Sequence, residues 1–195
     1  MTAPFELVAI VASAGGLRAM EAILEGLPAD FPIPIALVQH RPVHNPDMLV
    51  RVLSRHTPLT VKLAQEGEKL RPATLYIAQP NLHLVMGADG SFGMRDGAKI
   101  RHTLSSGNPL FESAAATLGS RVIAVVLSGY GRDGTDGVQA IHRAGGIVLA
   151  QDGATSQAFG MPSSAIGTGC VDTVLPVERI APALVALARR QPVQR

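Results

Sequence analysis

The sequence predicts an α/β fold: a doubly wound, mostly parallel sheet of the Rossmann-like kind, with an antiparallel β-hairpin excursion. Three observations predict it. Leu7–Ala12, Ile35–Val38 and Val122–Leu127 are apolar throughout, without the alternation of a half-exposed strand; such runs mark strands covered on both faces. A helical pattern follows each of them. Strand-like and helix-like segments then alternate along nearly the whole chain. The 195 residues suit one domain with a full core, so residues 1–195 are read as a single domain.

The first run passes through Ser13-Ala14-Gly15-Gly16 into a helix marked by Leu17, Met20, Ile23, Leu24 and Leu27. Prolines 32 and 34 lead into Ile35–Val38, which ends at Gln39-His40-Arg41-Pro42. Asn45-Pro46-Asp47 reads as an N-cap, an N1 proline and a first-turn acid. Leu59–Leu63, Thr74–Ala78 and Leu82–Met86 are short β runs, and Ala88-Asp89-Gly90 signals a hairpin into Ser91–Met94. This whole stretch reads as an antiparallel excursion. Asn108-Pro109 opens a helix that Gly119 stops. After Val122–Leu127 comes a glycine-rich loop, Ser128 to Gly137, and a helix to Ala144. Ile147–Ala150 is a further strand. A loop carrying Phe159-Gly160-Met161-Pro162 precedes a short helix to about Thr168. Val171–Leu175 and Pro176–Arg190 close the chain as strand and helix, with prolines in the first helical turns. The tail to Arg195 is expected to fray.

Composition narrows the function. Hydrophobic content of 47% against 16% charged describes a globular chain. A net charge of +2, no basic run, two Tyr and no Trp argue against nucleic-acid binding. The single Cys170 permits no internal disulfide and suggests no cysteine metal site, which fits a cytoplasmic protein. No apolar run is long enough for membrane insertion. Ala12-Ser13-Ala14 mimics a signal-peptide cleavage site, but no basic region precedes it and Glu6 interrupts the apolar stretch.

In a parallel sheet, functional groups collect at the carboxyl ends of the strands. Ser13, His40 and Asp133 all follow apolar strands there. A serine needs a base to become a nucleophile, a histidine is the usual base, and an aspartate holds the histidine tautomer. The N–H groups of Ala14, Gly15 and Gly16 offer donors for an oxyanion. Structural readings stand beside these. Ser13 also suits an N-cap, His40 an ordinary strand end, and Asp133 or Asp136 the cap of the following helix. The other histidines are 44, 56, 83, 102 and 142; His40 and His44 have metal spacing, but Pro42 between them argues against a helix. Nucleotide binding fails on the absence of G-x-G-x-x-G and Walker spacing.

Four stretches carry a resemblance: Ala12–Gly16, Val38-Gln39-His40-Arg41-Pro42, Ser128–Gly134, and Phe159–Pro162, with Gly67-Glu68 through Ala78 in support. Together they resemble the catalytic domain of CheB-type chemotaxis methylesterases, from about Leu7 to Leu187. The resemblance implies a protein-glutamate methylesterase, with glutamine deamidation as a second activity. Its substrate would be the methylated cytoplasmic region of a chemoreceptor. It implies Ser13 as nucleophile, His40 as base and Asp133, rather than Asp136, as the orienting acid. Ala14 and Gly15 would serve the oxyanion, and Tyr130 and Met161 would lie near substrate. It implies no metal and no organic cofactor, and it leaves the oligomeric state open.

The departures are specific. Ala14 stands where the family commonly has threonine, Tyr130 replaces a methionine, and Ser105-Ser106-Gly107-Asn108-Pro109 lacks the arginine and acid of the family's segment there. The family commonly carries an N-terminal receiver domain; none is expected here, nor regulation in cis by receiver phosphorylation. A hydrolase or deamidase for another protein or small ester, and a non-catalytic binding module, are the alternatives. They differ in whether Ser13 reacts with a serine-directed phosphonate.

Overall fold

The computed structural model describes residues 5–40, 46–96 and 106–189. Seven strands form one sheet in the order β3-β4-β2-β1-β7-β8-β9. They are β1 (Leu7–Ala12), β2 (Ile35–Gln39), β3 (Thr60–Leu63), β4 (Thr74–Ile77), β7 (Val122–Val126), β8 (Ile147–Gln151) and β9 (Thr173–Leu175). Every pair in this sheet is parallel. A separate antiparallel hairpin pairs β5 (Leu82–Met86) with β6 (Phe92–Asp96). Six α-helices complete the described residues: α1 (Gly16–Glu25), α2 (Pro46–Leu53), α3 (Gly107–Leu118), α4 (Thr135–Arg143), α5 (Gly160–Ile166) and α6 (Val177–Ala188).

All six residues of β1 are fully buried, because side chains on both faces meet helices. Val8, Ile10 and Ala12 pack with α1, α6 and Leu49 and Leu53 of α2. Leu7, Ala9 and Val11 face α3, α4, α5 and the hairpin. Burying each large aliphatic side chain contributes roughly 1.5–3 kcal/mol before chain entropy is set against it. The two covered faces are therefore what make this strand read as a continuous apolar run.

Chain order reverses between β1 and β7: β2 lies on one side of β1, and β7 and β8 on the other. The crevice outside the carboxyl ends at such a reversal is where open α/β sheets bind ligands. Ser13 sits there.

Several boundaries differ from expectation. Thr60–Leu63 and Thr74–Ile77 belong to the parallel sheet and only the hairpin is antiparallel. Residues 64–73 form a crossover too long for a tight hairpin, and that length was the available signal. α3 starts at Gly107, one residue earlier than Asn108, because the Ser106 hydroxyl caps it by accepting from Asn108 N–H. Gly160-Met161-Pro162 forms the first turn of α5 rather than a loop. β9 begins at Thr173, not Val171. Pro182 lies inside α6, where its missing donor costs a helical bond. The Asn45 cap and the tail beyond Arg189 lie outside the described residues.

Candidate active site

Two adjacent parallel strands bring Ser13 and His40 together. Ala12 pairs with Gln39 in the β1–β2 ladder, and His40 N–H donates to Ala12 O at 2.9 Å. Ser13 and His40 are thus neighbours one step past the ladder. On its other side Ser13 N–H donates to Ser128 O at 2.9 Å, which ties it to the end of β7. The Ser13 hydroxyl makes no hydrogen bond to another described residue, and the residue is half-buried.

The turn that follows is held by two side chains. Gln39 Nε2 donates to Ser13 O at 2.8 Å, and Ser128 Oγ donates to Ala14 O at 2.6 Å. A carbonyl and the next N–H share one rigid trans peptide plane and point oppositely. Fixing Ser13 O therefore fixes the Ala14 N–H, and fixing Ala14 O fixes the Gly15 N–H. These two N–H groups have no partner among the described residues. Gly16 is different: its N–H donates to Ser13 O at 2.9 Å and is not available as a third donor. The helix cap falls on Gly15, in the left-handed conformation at φ 80° and with no side-chain capping bond, so Ser13 is not the cap of α1. Gly15 also lines a cavity of about 400 Å³ with Arg18, Thr155, Ser156 and Gln157.

Asp133 lies seven residues past Val126, the last of β7, yet the loop returns it to the sheet edge. Its Oδ2 is 2.7 Å from His40 Nε2. Its carboxylate also accepts Gly107 N–H at 2.6 Å and the Ser106 hydroxyl. The cap of α4 is Gly134, with no side-chain bond, so Asp133 does not cap its own helix. It sits instead at the N-terminus of α3, where free N–H groups favour an anion. Burial pushes the Asp133 carboxyl up, but the bonds from His40, Ser106 and Gly107 outweigh it and hold the carboxyl below its ordinary value. An ionised carboxylate only accepts, so His40 donates through Nε2–H and keeps Nδ1 as its free acceptor. Asp136 lies in the first turn of α4; burial and the Asp136 charge together push Glu112 up. The Nε2 bond of His40 goes to Asp133.

Tyr130 projects from the same loop, 74% exposed. Met161 is fully buried and packs beneath Gly129, where an added Cβ would collide with its sulfur and approach Ser13 Cβ to 2.7 Å. Ser106, Gly107, Gln39 and Ser128 are absent from the sequence-based set. Ser106 and Gly107 stood in view only as part of a divergent segment; a serine three residues before a helix proline was the one local signal.

Among the described residues no group of three or more His, Cys, Asp or Glu could hold a metal ion, and His44 lies outside them. No described helix is long and apolar enough to cross a membrane.

A doubly wound α/β domain with a serine, a histidine and an aspartate at one sheet edge is the class that fold and geometry define. The chain belongs to the CheB methylesterase family, whose profile matches residues 8–184. A Rhizobium meliloti protein-glutamate methylesterase/protein-glutamine glutaminase is 44% identical over 186 residues, covering 95% of this chain and 52% of the relative. An Anaeromyxobacter dehalogenans protein of the same name is 45% identical, covering 94% and 54%. The chain thus spans about half the length of these curated relatives. A Leptospira interrogans relative named for the same two activities is 35% identical and covers 98% of this chain and 99% of its own. The crystal structure of the Thermotoga maritima CheB methylesterase catalytic domain superposes with a TM-score of 0.90 at 38% identity, over 94% of this chain and 98% of that one.

Proposed function

We propose that this chain is a serine hydrolase that removes methyl esters from glutamate side chains in the cytoplasmic region of chemoreceptors, and deamidates glutamines there. It would act in the cytoplasm. The observation that carries the reading is the 2.7 Å bond from His40 Nε2 to Asp133 Oδ2, at the strand end next to Ser13. Family membership and the names of the relatives supply the substrate class.

Each step follows from the chemistry of the groups. Ser13 Oγ attacks the ester carbonyl as His40 Nδ1 takes its proton. The carbonyl oxygen becomes an oxyanion, received by the Ala14 and Gly15 N–H groups. Asp133 stabilises the imidazolium through Nε2–H and keeps its orientation. His40 then returns the proton to the departing methoxide, which leaves as methanol. Water, deprotonated by His40, attacks the acyl-serine and frees the glutamate. With glutamine as substrate the leaving group is ammonia. The sequence of steps needs neither a metal nor an organic cofactor.

A fluorophosphonate probe tests the nucleophile. Stoichiometric labelling mapped to Ser13 in folded protein, absent after denaturation and in Ser13→Ala, is the expected result. Folded protein that remains unlabelled would overturn the reading.

A further inference from the structure

We propose that His83 is a positioning residue for Asp133, acting through Ser106. The inference rests on reading Ser13, His40 and Asp133 as the catalytic set. His83 is a histidine only 4% exposed, on β5 of the hairpin, outside the main sheet and across from Arg95 of β6. Its Nδ1 is 3.1 Å from the backbone nitrogen of Ser106. A backbone N–H only donates, so Nδ1 is the acceptor and the ring carries its proton on Nε2.

Ser106 links this bond to the site. Its hydroxyl donates to Asp133 Oδ1, while the next residue, Gly107, donates its N–H to Oδ2. Oδ2 also receives His40 Nε2–H. Both carboxylate oxygens are thereby held by the start of α3. That start is anchored to the hairpin by His83. The chain of contacts runs His83, Ser106, Asp133, His40, and each link is a hydrogen bond between groups that are mostly buried. Without the His83 acceptor, the Ser106 N–H is left buried and unpaired, a cost that shifts the turn carrying both Asp133 donors. The carboxylate then loses its set direction, and with it the orientation of the imidazole. The hairpin excursion has a role in this arrangement: it delivers the anchor.

The test compares His83→Asn with His83→Leu. Asparagine Oδ1 can replace Nδ1 as acceptor; leucine cannot. Two readouts are taken on folded protein. One is the low-field proton resonance of His40 Nε2–H, assigned by its loss in His40→Ala. The other is fluorophosphonate labelling of Ser13 over a range of probe concentrations. In His83→Leu the resonance should broaden or vanish, and the maximal labelling rate should fall by about tenfold with half-saturation unchanged. His83→Asn should keep the resonance and label within about threefold of wild type. Should His83→Leu not fold, His83→Gln, whose acceptor lies one bond too far along, takes its place with the same expectations. A leucine variant with wild-type resonance and rate overturns the proposal, as does an asparagine variant as defective as leucine. Wild-type protein that shows the resonance but does not label Ser13 overturns the hydrolase reading instead, and the resonance comparison still decides the role of His83.

Discussion

Asp133 holds His40 through the nitrogen farther from the histidine backbone: Nε2 lies 2.7 Å from Oδ2. The nearer nitrogen, Nδ1, is left as an acceptor, which is what the proposed role of His40 as base requires. The aspartate is in turn held by a different helix, α3, and not by the one it precedes.

Asp133→Asn leaves a side chain of the same shape but lets an amide face the histidine, favouring the wrong tautomer. Turnover should fall by roughly 10³–10⁴-fold, the scale seen when a triad acid is neutralised in other hydrolases. Steady-state methanol release measures it. Near-normal turnover would move the acid role to Asp136 or remove it.

The lowered Asp133 carboxyl makes stability depend on pH with a definite sign. The unfolded carboxyl titrates at about 3.9, and the folded one lower, so between the two values the unfolded chain binds the extra proton. The stabilisation is full above the unfolded value and is lost as pH falls through the folded one. Urea midpoints measured from about pH 5 down to pH 2 should drop more steeply for wild type than for Asp133→Asn. Parallel curves would contradict the assignment.

Gly107 lies where β1, α3 and Asp133 meet. A Cβ there would stand 2.5 Å from Val11 Cγ2 and 3.3 Å from Asp133 Oδ2. Val11 is packed in the core and cannot give way, so α3 must shift. Gly107→Ala should cost about 1–3 kcal/mol by denaturant unfolding. It should also slow labelling of Ser13, because the donors of Asp133 move with the helix.

Gln39 spans the two strand ends, donating to Ser13 O at 2.8 Å and His40 O at 3.2 Å. Gln39→Ala removes one of the two donors, the other being Gly16 N–H, that hold the peptide plane carrying the Ala14 N–H. Loss of one oriented oxyanion donor costs about 3–4 kcal/mol in the limit, so kcat should fall by about tenfold or more. Stability should change by only about 0.5–1.5 kcal/mol. A thermal melt beside a labelling time course separates the two; an equal loss of both would show a purely structural role.

The main sheet was legible because β1, β2 and β7 are covered on both faces and so carry unbroken apolar runs. β3 and β4 were not assigned to it, since short strands near an edge carry no sign of their partner's direction. Ser13 and His40 could be read from their places at strand ends. Asp133 could not be separated from Asp136 by spacing, because either suits a helix start; only the family resemblance chose between them, and the contact of Asp133 with His40 is a long-range one that no spacing shows. Ser106, Gly107 and His83 were given no role for a physical reason. Their part depends on contacts between α3, the hairpin and the α4 entry loop, 23 to 27 positions apart in sequence. No local pattern encodes such distances. The helix turn at Gly160–Pro162 was hidden by its glycine and proline, which read as a loop.

Hydrolysis of glutamate methyl esters by Ser13 is tested by methanol release from radiolabelled, methylated chemoreceptor membranes, with wild type and Ser13→Ala compared side by side. Release by wild type and none above background by Ser13→Ala is the predicted result. No release by wild type, or equal release by both, would contradict the account.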